Sequence, residues 1–229
     1  MSLYLFLNIL IIIFPLSLSF ERKIEYYRKI LPVLASIILV SSIFIIWDLI
    51  ATYRGDWGFN LEYISGLKLF NLPVEEILFF LTVPFSILFI YETVIFYIPD
   101  NKIYYNKTLY TSAAVFFLII SVLNFSRYYT FTVFLFTALF IIITMLWFDE
   151  IFRSRNYWLF ILISYAPFLI FNYILTSLPV VWYASQSILG IRIITIPIED
   201  FFYSYSLISA YLLVYLFFKE KWLQRKVRQ

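Results

Sequence analysis

Pro73-Val74-Glu75-Glu76 opens an apolar run that reaches residue 98, and Pro197-Ile198-Glu199-Asp200 opens another 124 residues later. The match extends upstream without a gap. Asp48, Thr52 and Gly66 in the first copy stand where Asn172, Thr176 and Gly190 stand in the second. Each run has the length of about 20 residues that a bilayer-crossing helix needs. Two acids therefore fall at the start of a membrane-length helix, twice. Ionisable groups at such positions are costly, which makes them the first candidates for chemistry.

An ordinary explanation competes. Proline fits the first helical position without losing a hydrogen bond, and carboxylates favour the positive end of the helix dipole. Simple capping does not, however, require the same upstream Thr and Gly in both copies. The second pair also follows a stretch, 156–191, with no Asp, Glu, Lys or Arg.

Composition sets the environment. Hydrophobic residues make up 63% of the 229, with a mean hydropathy of +0.91, far outside the range of a water-soluble domain. The absence of cysteine excludes disulfides, thiolate catalysis and thiolate metal sites. The absence of histidine removes the commonest general base and the commonest ligand of zinc and non-haem iron. Four glycines, Gly55, Gly58, Gly66 and Gly190, make no phosphate loop and no dinucleotide-binding fingerprint. No metal, cofactor or nucleic-acid partner is expected.

The apolar runs predict an all-α membrane bundle of about seven spans: 3–20, 30–47, 73–98, 108–124, 129–148, 157–176 and 197–218. Pro179 and the repeat register end the sixth near Thr176. The first lacks preceding basic residues and a small-residue cleavage site, so it reads as a retained helix. Spans one to three form a first unit, 1–98. A connecting helix occupies 99–128, and 129–229 forms a second unit with a basic tail. An odd connector gives both units the same orientation, a parallel repeat about an axis near the membrane normal. All four motif acids then share one depth. Thirteen of the seventeen Lys and Arg residues lie on the opposite side, including Lys219, Lys221, Arg225, Lys226 and Arg228 of the tail. The positive-inside rule puts that side in the cytoplasm and the N-terminus outside a cell membrane.

The chemistry open to such a site is narrow. Carboxyls buried against apolar surface hold their protons more tightly, and two close ones oppose joint ionisation. A water-poor acid facing an ionised partner is a general acid–base pair. It can protonate an alkene and remove a proton from a neighbouring carbon, giving isomerisation or cyclisation without redox change. Rings stabilise cations, and Phe79, Phe80, Phe201, Phe202 and Tyr203 follow the acids closely. Trp47, Trp57, Trp182 and Tyr183 read instead as an interfacial belt. Asp48 and Asn172 read as hydrogen-bonding groups beside the motifs. Arg54, Lys68 and Arg192 are candidate partners of the acids, and close pairing would oppose an acid role. Glu92, ~25 Å along the helix from Glu75 at about 1.5 Å per residue, lies too far to take part.

The run Trp47-Asp48…Thr52…Gly55…Trp57…Gly66…Leu72-Pro73-Val74-Glu75-Glu76-Ile77-Leu78-Phe79-Phe80…Val83-Pro84…Tyr91-Glu92 resembles the lycopene cyclase domain of the heterodimeric type. That domain occurs in bacteria and archaea and, fused to phytoene synthase, in fungi. Pro197-Ile198-Glu199-Asp200-Phe201-Phe202-Tyr203 is similar to the partner subunit's version of its Pro-x-Glu-Glu/Asp hallmark, so the chain looks like a fused two-repeat form. The resemblance implies cyclisation of the acyclic ψ-ends of lycopene or a related carotenoid, typically to β-rings, without a flavin. It implies Glu75, Glu76, Glu199 and Asp200 as catalytic acids. It also implies a lipid-soluble substrate and association with other carotenoid-synthesis enzymes. One departure is Asn172 in place of Asp48, with no Trp before it, which suggests unequal halves. Two other classes remain open: a parallel-repeat transporter or ion- or lipid-binding protein using the acidic cluster, and a scaffold with inert motifs.

Overall fold

In the computed structural model, which describes residues 1–227, the apolar runs are helices and the repeat is visible in the backbone. Of the basic tail, Arg228 lies outside the described residues, as do the side chains of Arg225 and Lys226. The order is α1 (Leu3–Leu18), a 3₁₀ turn (Tyr26–Lys29), α2 (Ile30–Arg54), β1 (Trp57–Phe59), β2 (Lys68–Leu69), β3 (Leu72–Pro73) and α3 (Val74–Tyr97). There follow α4 (Lys107–Leu123), α5 (Tyr128–Trp147), the single turn α6 (Glu150–Arg153) and α7 (Arg155–Ser177). The chain closes with β4 (Val181–Tyr183), β5 (Arg192–Ile193), β6 (Ile196–Pro197) and α8 (Ile198–Val227).

Local chemistry sets several boundaries. The hydroxyls of Ser2 and Ser154 and the side-chain carbonyl of Asn106 cap α1, α7 and α4 by accepting from the amides of Leu5, Tyr157 and Leu109. Gly55, at φ +77°, ends α2 by donating to the carbonyls of Ala51 and Thr52. Among the described residues, five helices are long and apolar enough to cross a membrane. The helices at the expected first and fourth spans are shorter, 16 and 17 residues. The second helix runs seven residues beyond residue 47, because Asp48 finds a buried donor rather than ending the helix.

The small strands were not legible as an all-α pattern. They form two hairpins, β2–β3 and β5–β6, and an antiparallel ribbon in which β1 of one half pairs with β4 of the other. Gly58 pairs with Trp182, its own counterpart at the 124-residue offset, flanked by Trp57–Tyr183 and Phe59–Val181. The ribbon's centre therefore sits on the axis relating the halves. A Cβ at Gly58 would collide with the Trp182 ring, so glycine is required for that approach. Positive φ recurs at the same offset: +82° at Gly66 and +81° at Gly190, +56° at Phe70 and +59° at Ile194.

Helix packing obeys the same relation. The first helix of each half lies on the third of its own half, α1 on α3 and α5 on α8. The second lies on the third of the other half, α2 on α8 and α7 on α3, while α4 covers α5. Lipid gives little hydrophobic drive between helices, so close packing and interhelical hydrogen bonds hold them. Ser36 donates to Tyr211 O (2.6 Å), Ser41 to Phe80 O (2.7 Å) and Ser86 to Ile11 O (2.9 Å). The exchange of second helices brings the two acid-bearing helix starts together beneath the ribbon.

Candidate active site

The four motif acids divide into two pairs with different surroundings. Glu75 and Glu199 come first in their motifs and bind the loops of their own halves. Glu75 Oε1 accepts from the Ser65 amide (2.6 Å) and the Ser2 hydroxyl (2.7 Å). Glu199 Oε1 accepts from the Leu189 amide (2.6 Å) and the Thr130 hydroxyl (2.6 Å). Both acids are buried, and neither lines the principal cavity.

The matched Thr and Gly belong to this loop architecture. Thr52 donates to Asp48 O (2.7 Å) and accepts from the Asn71 side chain. Thr176 donates to Asn172 O (2.8 Å) and meets Thr195, the counterpart of Asn71, at 2.8 Å. With Gly66 and Gly190 in their positive-φ turns, these residues tie each hairpin to the preceding helix. The recurrent spacing upstream of the acids thus has a structural cause.

Glu76 and Asp200, one residue further along, turn the other way. Adjacent residues on a helix project about 100° apart, and here that rotation carries the side chain from the loop into the bundle. Both line a cavity of about 520 Å³ bounded by α1, α2, α3, α7, α8, the ribbon and Tyr129 at the start of α5. Asp48 and Asn172 line it as well, so all four positions of the inner constellation meet in one space.

Their hydrogen bonds differ sharply. Asp200 accepts three: the Tyr129 hydroxyl on Oδ1 (2.6 Å), and the Asn172 amide (2.9 Å) and Tyr183 hydroxyl (2.9 Å) on Oδ2. Glu76 accepts from the Tyr4 hydroxyl on Oε2. Asp48 Oδ1 accepts from Trp57 Nε1 (2.8 Å), while Oδ2 is buried without a hydrogen-bond partner among the described residues. Trp47 Nε1 is also buried and unpartnered there. Such orphans in a cavity wall are candidates for contact with whatever occupies the space.

No basic residue among the described ones pairs with these carboxyls. Arg54 binds Asp56 and lies 4.2 Å above the Tyr128 ring, Arg192 donates to Thr195 O (2.6 Å), and Lys68 is exposed. Glu92 is far away, as its position predicts, in a cluster with Lys29, Lys219 and Tyr215.

The aromatic candidates separate too. Phe79 and Tyr203 line the acid cavity, but Phe80 is buried in the helix core. Phe201 and Phe202 face a second space of about 390 Å³ between α4, α5, α7 and α8. Three of the belt candidates instead line the acid cavity: Trp47 and Trp57, 5.0 Å apart between ring centres, and Tyr183. Trp182 alone of the four lies outside it. Tyr4 and Tyr129 escaped sequence reading altogether. Each lies near the start of the first helix of its half, but they do not occupy matching positions of the repeat, so the 124-residue offset does not lead from one to the other.

The arrangement is a largely apolar chamber with three carboxyls and several phenols and indoles at one end. It suits proton transfer to and from an apolar molecule. The sequence profile described as lycopene cyclase matches residues 1–94 and 126–218, one segment over each half. No curated protein and no solved structure matches the chain. The profile covers most of the sequence, includes both acid motifs and leaves out the connecting α4, and on that ground the chain belongs to the lycopene cyclase family.

Proposed function

We propose that the protein closes an acyclic ψ-end of lycopene, or a related acyclic carotenoid, into a β-ring by carboxyl acid–base catalysis. Family membership supports a carotenoid cyclase working in a lipid environment. The observation that carries the mechanism is the meeting of Asp48, Glu76 and Asp200 on a single apolar cavity.

The hydrogen bonds suggest distinct roles. Asp48 Oδ2, which no donor faces, carries the proton and delivers it to the terminal double bond of the end group. The resulting tertiary cation is attacked by the nearby internal alkene, and the new carbon–carbon bond closes a six-membered ring. Glu76 removes a proton from the carbon beside the relocated cation, which restores a double bond. Asp200, an acceptor in three hydrogen bonds, is a fixed negative charge that stabilises the cation throughout. Phe79, Trp47, Trp57 and Tyr203 present ring faces to the same charge. One proton enters, one leaves, and no electrons are exchanged.

Two three-helix units, 1–98 and 129–229, joined by 99–128, share this one reaction. The basic residue bias supports an N-terminus outside the cell membrane and a cytoplasmic C-terminus, with the acids near the outer face. Expression in bacteria that accumulate lycopene tests the reading. Extracts are expected to gain cyclic carotenoids at the expense of lycopene. Unchanged lycopene would overturn it, and altered ion or lipid flux in those cells would favour a transporter.

A further inference from the structure

The two halves are related by a twofold arrangement, yet the acid cavity runs down only one of the two grooves that this arrangement relates. From Glu76 it follows α3 past Phe79, Val83 and Ile87 to Ile90, ~21 Å at about 1.5 Å per residue. Its walls there are α1 and α7, with Ser204, Leu207 and Ile208 of α8 alongside, and it reaches Leu10 and Phe14 on the exposed face of α1.

The equivalent groove would follow α8 between α5 and α2. The 124-residue offset relates Phe79 to Tyr203, Ile87 to Tyr211, Phe168 to Phe44 and Phe171 to Trp47. The first helices are two residues further apart. The amides of Tyr4 and Thr130 bind the carbonyls of the paired residues Tyr63 and Ser187, so Leu10 corresponds to Phe136. Where the first half has Leu10 and Ile87, the second has Phe136 and Tyr211. Those larger side chains fill the space. Phe136 lies 5.5 Å from Phe44 and 5.7 Å from Trp47, Tyr203 lies 5.8 Å from Phe44, and Tyr211 is fully buried with its hydroxyl 2.8 Å from Ser41. Filling a groove with rings closes it, because protein interiors pack without spare volume.

We propose that the groove between α1, α3 and α7 is the substrate's path from the lipid. It takes the end of a linear, apolar isoprenoid chain, and Leu10 and Ile87 keep it open while Phe136 and Tyr211 close its counterpart. This rests on the cyclase reading above and deepens it. The groove is continuous with the carboxyls at one end and with a lipid-exposed helix face at the other. Apolar residues dominate its walls, so a thin hydrocarbon chain fits it and a hydrated solute does not. The departure of the halves from symmetry thereby acquires a use: both contribute acids, and one of the two related grooves supplies the access.

The lack of cysteine allows a clean test, since an introduced thiol is the only one present. Phe14→Cys at the mouth of the groove and Ile143→Cys on the exposed face of α5 are each reacted with a bulky, uncharged maleimide in membranes. Conversion of lycopene is then compared with the same variant unlabelled. Labelling at residue 14 is expected to lower conversion at least about tenfold, and labelling at residue 143 less than about twofold. Equal effects at the two sites, or none at residue 14, overturn the proposal. The exchange L10F/I87Y, which gives the open groove the bulk of the closed one, is expected to produce a similar loss in folded protein. Wild-type membranes that fail to cyclise lycopene would refute the cyclase reading itself, whereas active wild type with an indifferent residue 14 refutes only the path.

Discussion

Glu76→Gln and Asp200→Asn are each expected to lower cyclisation per folded molecule by about 10²–10⁴, the range typical of losing a positioned acid, base or fixed charge. Glu75→Gln and Glu199→Gln are expected to retain activity within about tenfold and to act on stability instead. The contrast follows from the one-residue rotation within each motif. Gln at 76 keeps the volume and still accepts from Tyr4, but it cannot take up a proton. Asn at 200 keeps the volume but turns an NH₂ toward donors that now have a carboxylate to meet, and the cavity loses its fixed charge. At 75 and 199, glutamine retains an acceptor for the Ser65 and Leu189 amides. What it loses is the charge on those hydrogen bonds, about 1–2 kcal/mol of stability each. Chromatography of pigments, normalised to folded protein, separates the two classes. Equal losses in all four variants would contradict the division.

Removing the carboxylate of Glu92 is expected to cost about 3 kcal/mol of stability. Its side chain is 1% exposed and meets Lys29 and Lys219, which are 25% and 18% exposed, together with the Tyr215 hydroxyl at 2.7 Å. Glu92→Gln leaves two partly buried ammonium groups facing each other without an anion. Breaking a buried pair typically costs about 3–5 kcal/mol, and the partial exposure of both lysines places this case near the lower bound. The cluster joins the start of α2, the later part of α3 and the C-terminal part of α8, so its loss loosens the bundle at the end away from the acids. Glu92 lies ~24 Å from Glu76 along α3 at about 1.5 Å per residue. Cyclisation per folded molecule should therefore hold while the thermal midpoint in detergent falls by several degrees. An unchanged midpoint would show that the lysines find water or another partner.

Much of this architecture was legible because membrane helices announce themselves by uninterrupted apolar length. The starts at Val74 and Ile198 and the end of α7 near Thr176 follow from Pro73, Pro197 and Pro179. The acid repeat drew attention to the region that holds the cavity. Which acid of each pair faces inward was not legible. In a soluble helix, polar periodicity reveals the buried side, but here lipid-facing and core-facing positions are both apolar. The same ambiguity mixed Phe79 with Phe80 and hid the cavity role of Trp47, Trp57 and Tyr183. The last two depend on β1 of one half pairing with β4 of the other, a contact across more than 120 residues that local pattern does not carry. Thr52 and Thr176 show the opposite hazard: residues repeated for the sake of a hairpin strengthened a catalytic reading of their neighbours.

The central claim is that a carboxyl proton starts the ring closure and stays in the product. Lycopene cyclised by membranes equilibrated in deuterium oxide measures this directly, by mass spectrometry of the cyclic product. Proton addition to the terminal alkene leaves the new hydrogen on a ring carbon that takes no further part, so the account predicts one deuterium retained for each ring formed. A cyclic product of unchanged mass would contradict it, because the ring would then have closed without an exchangeable acid.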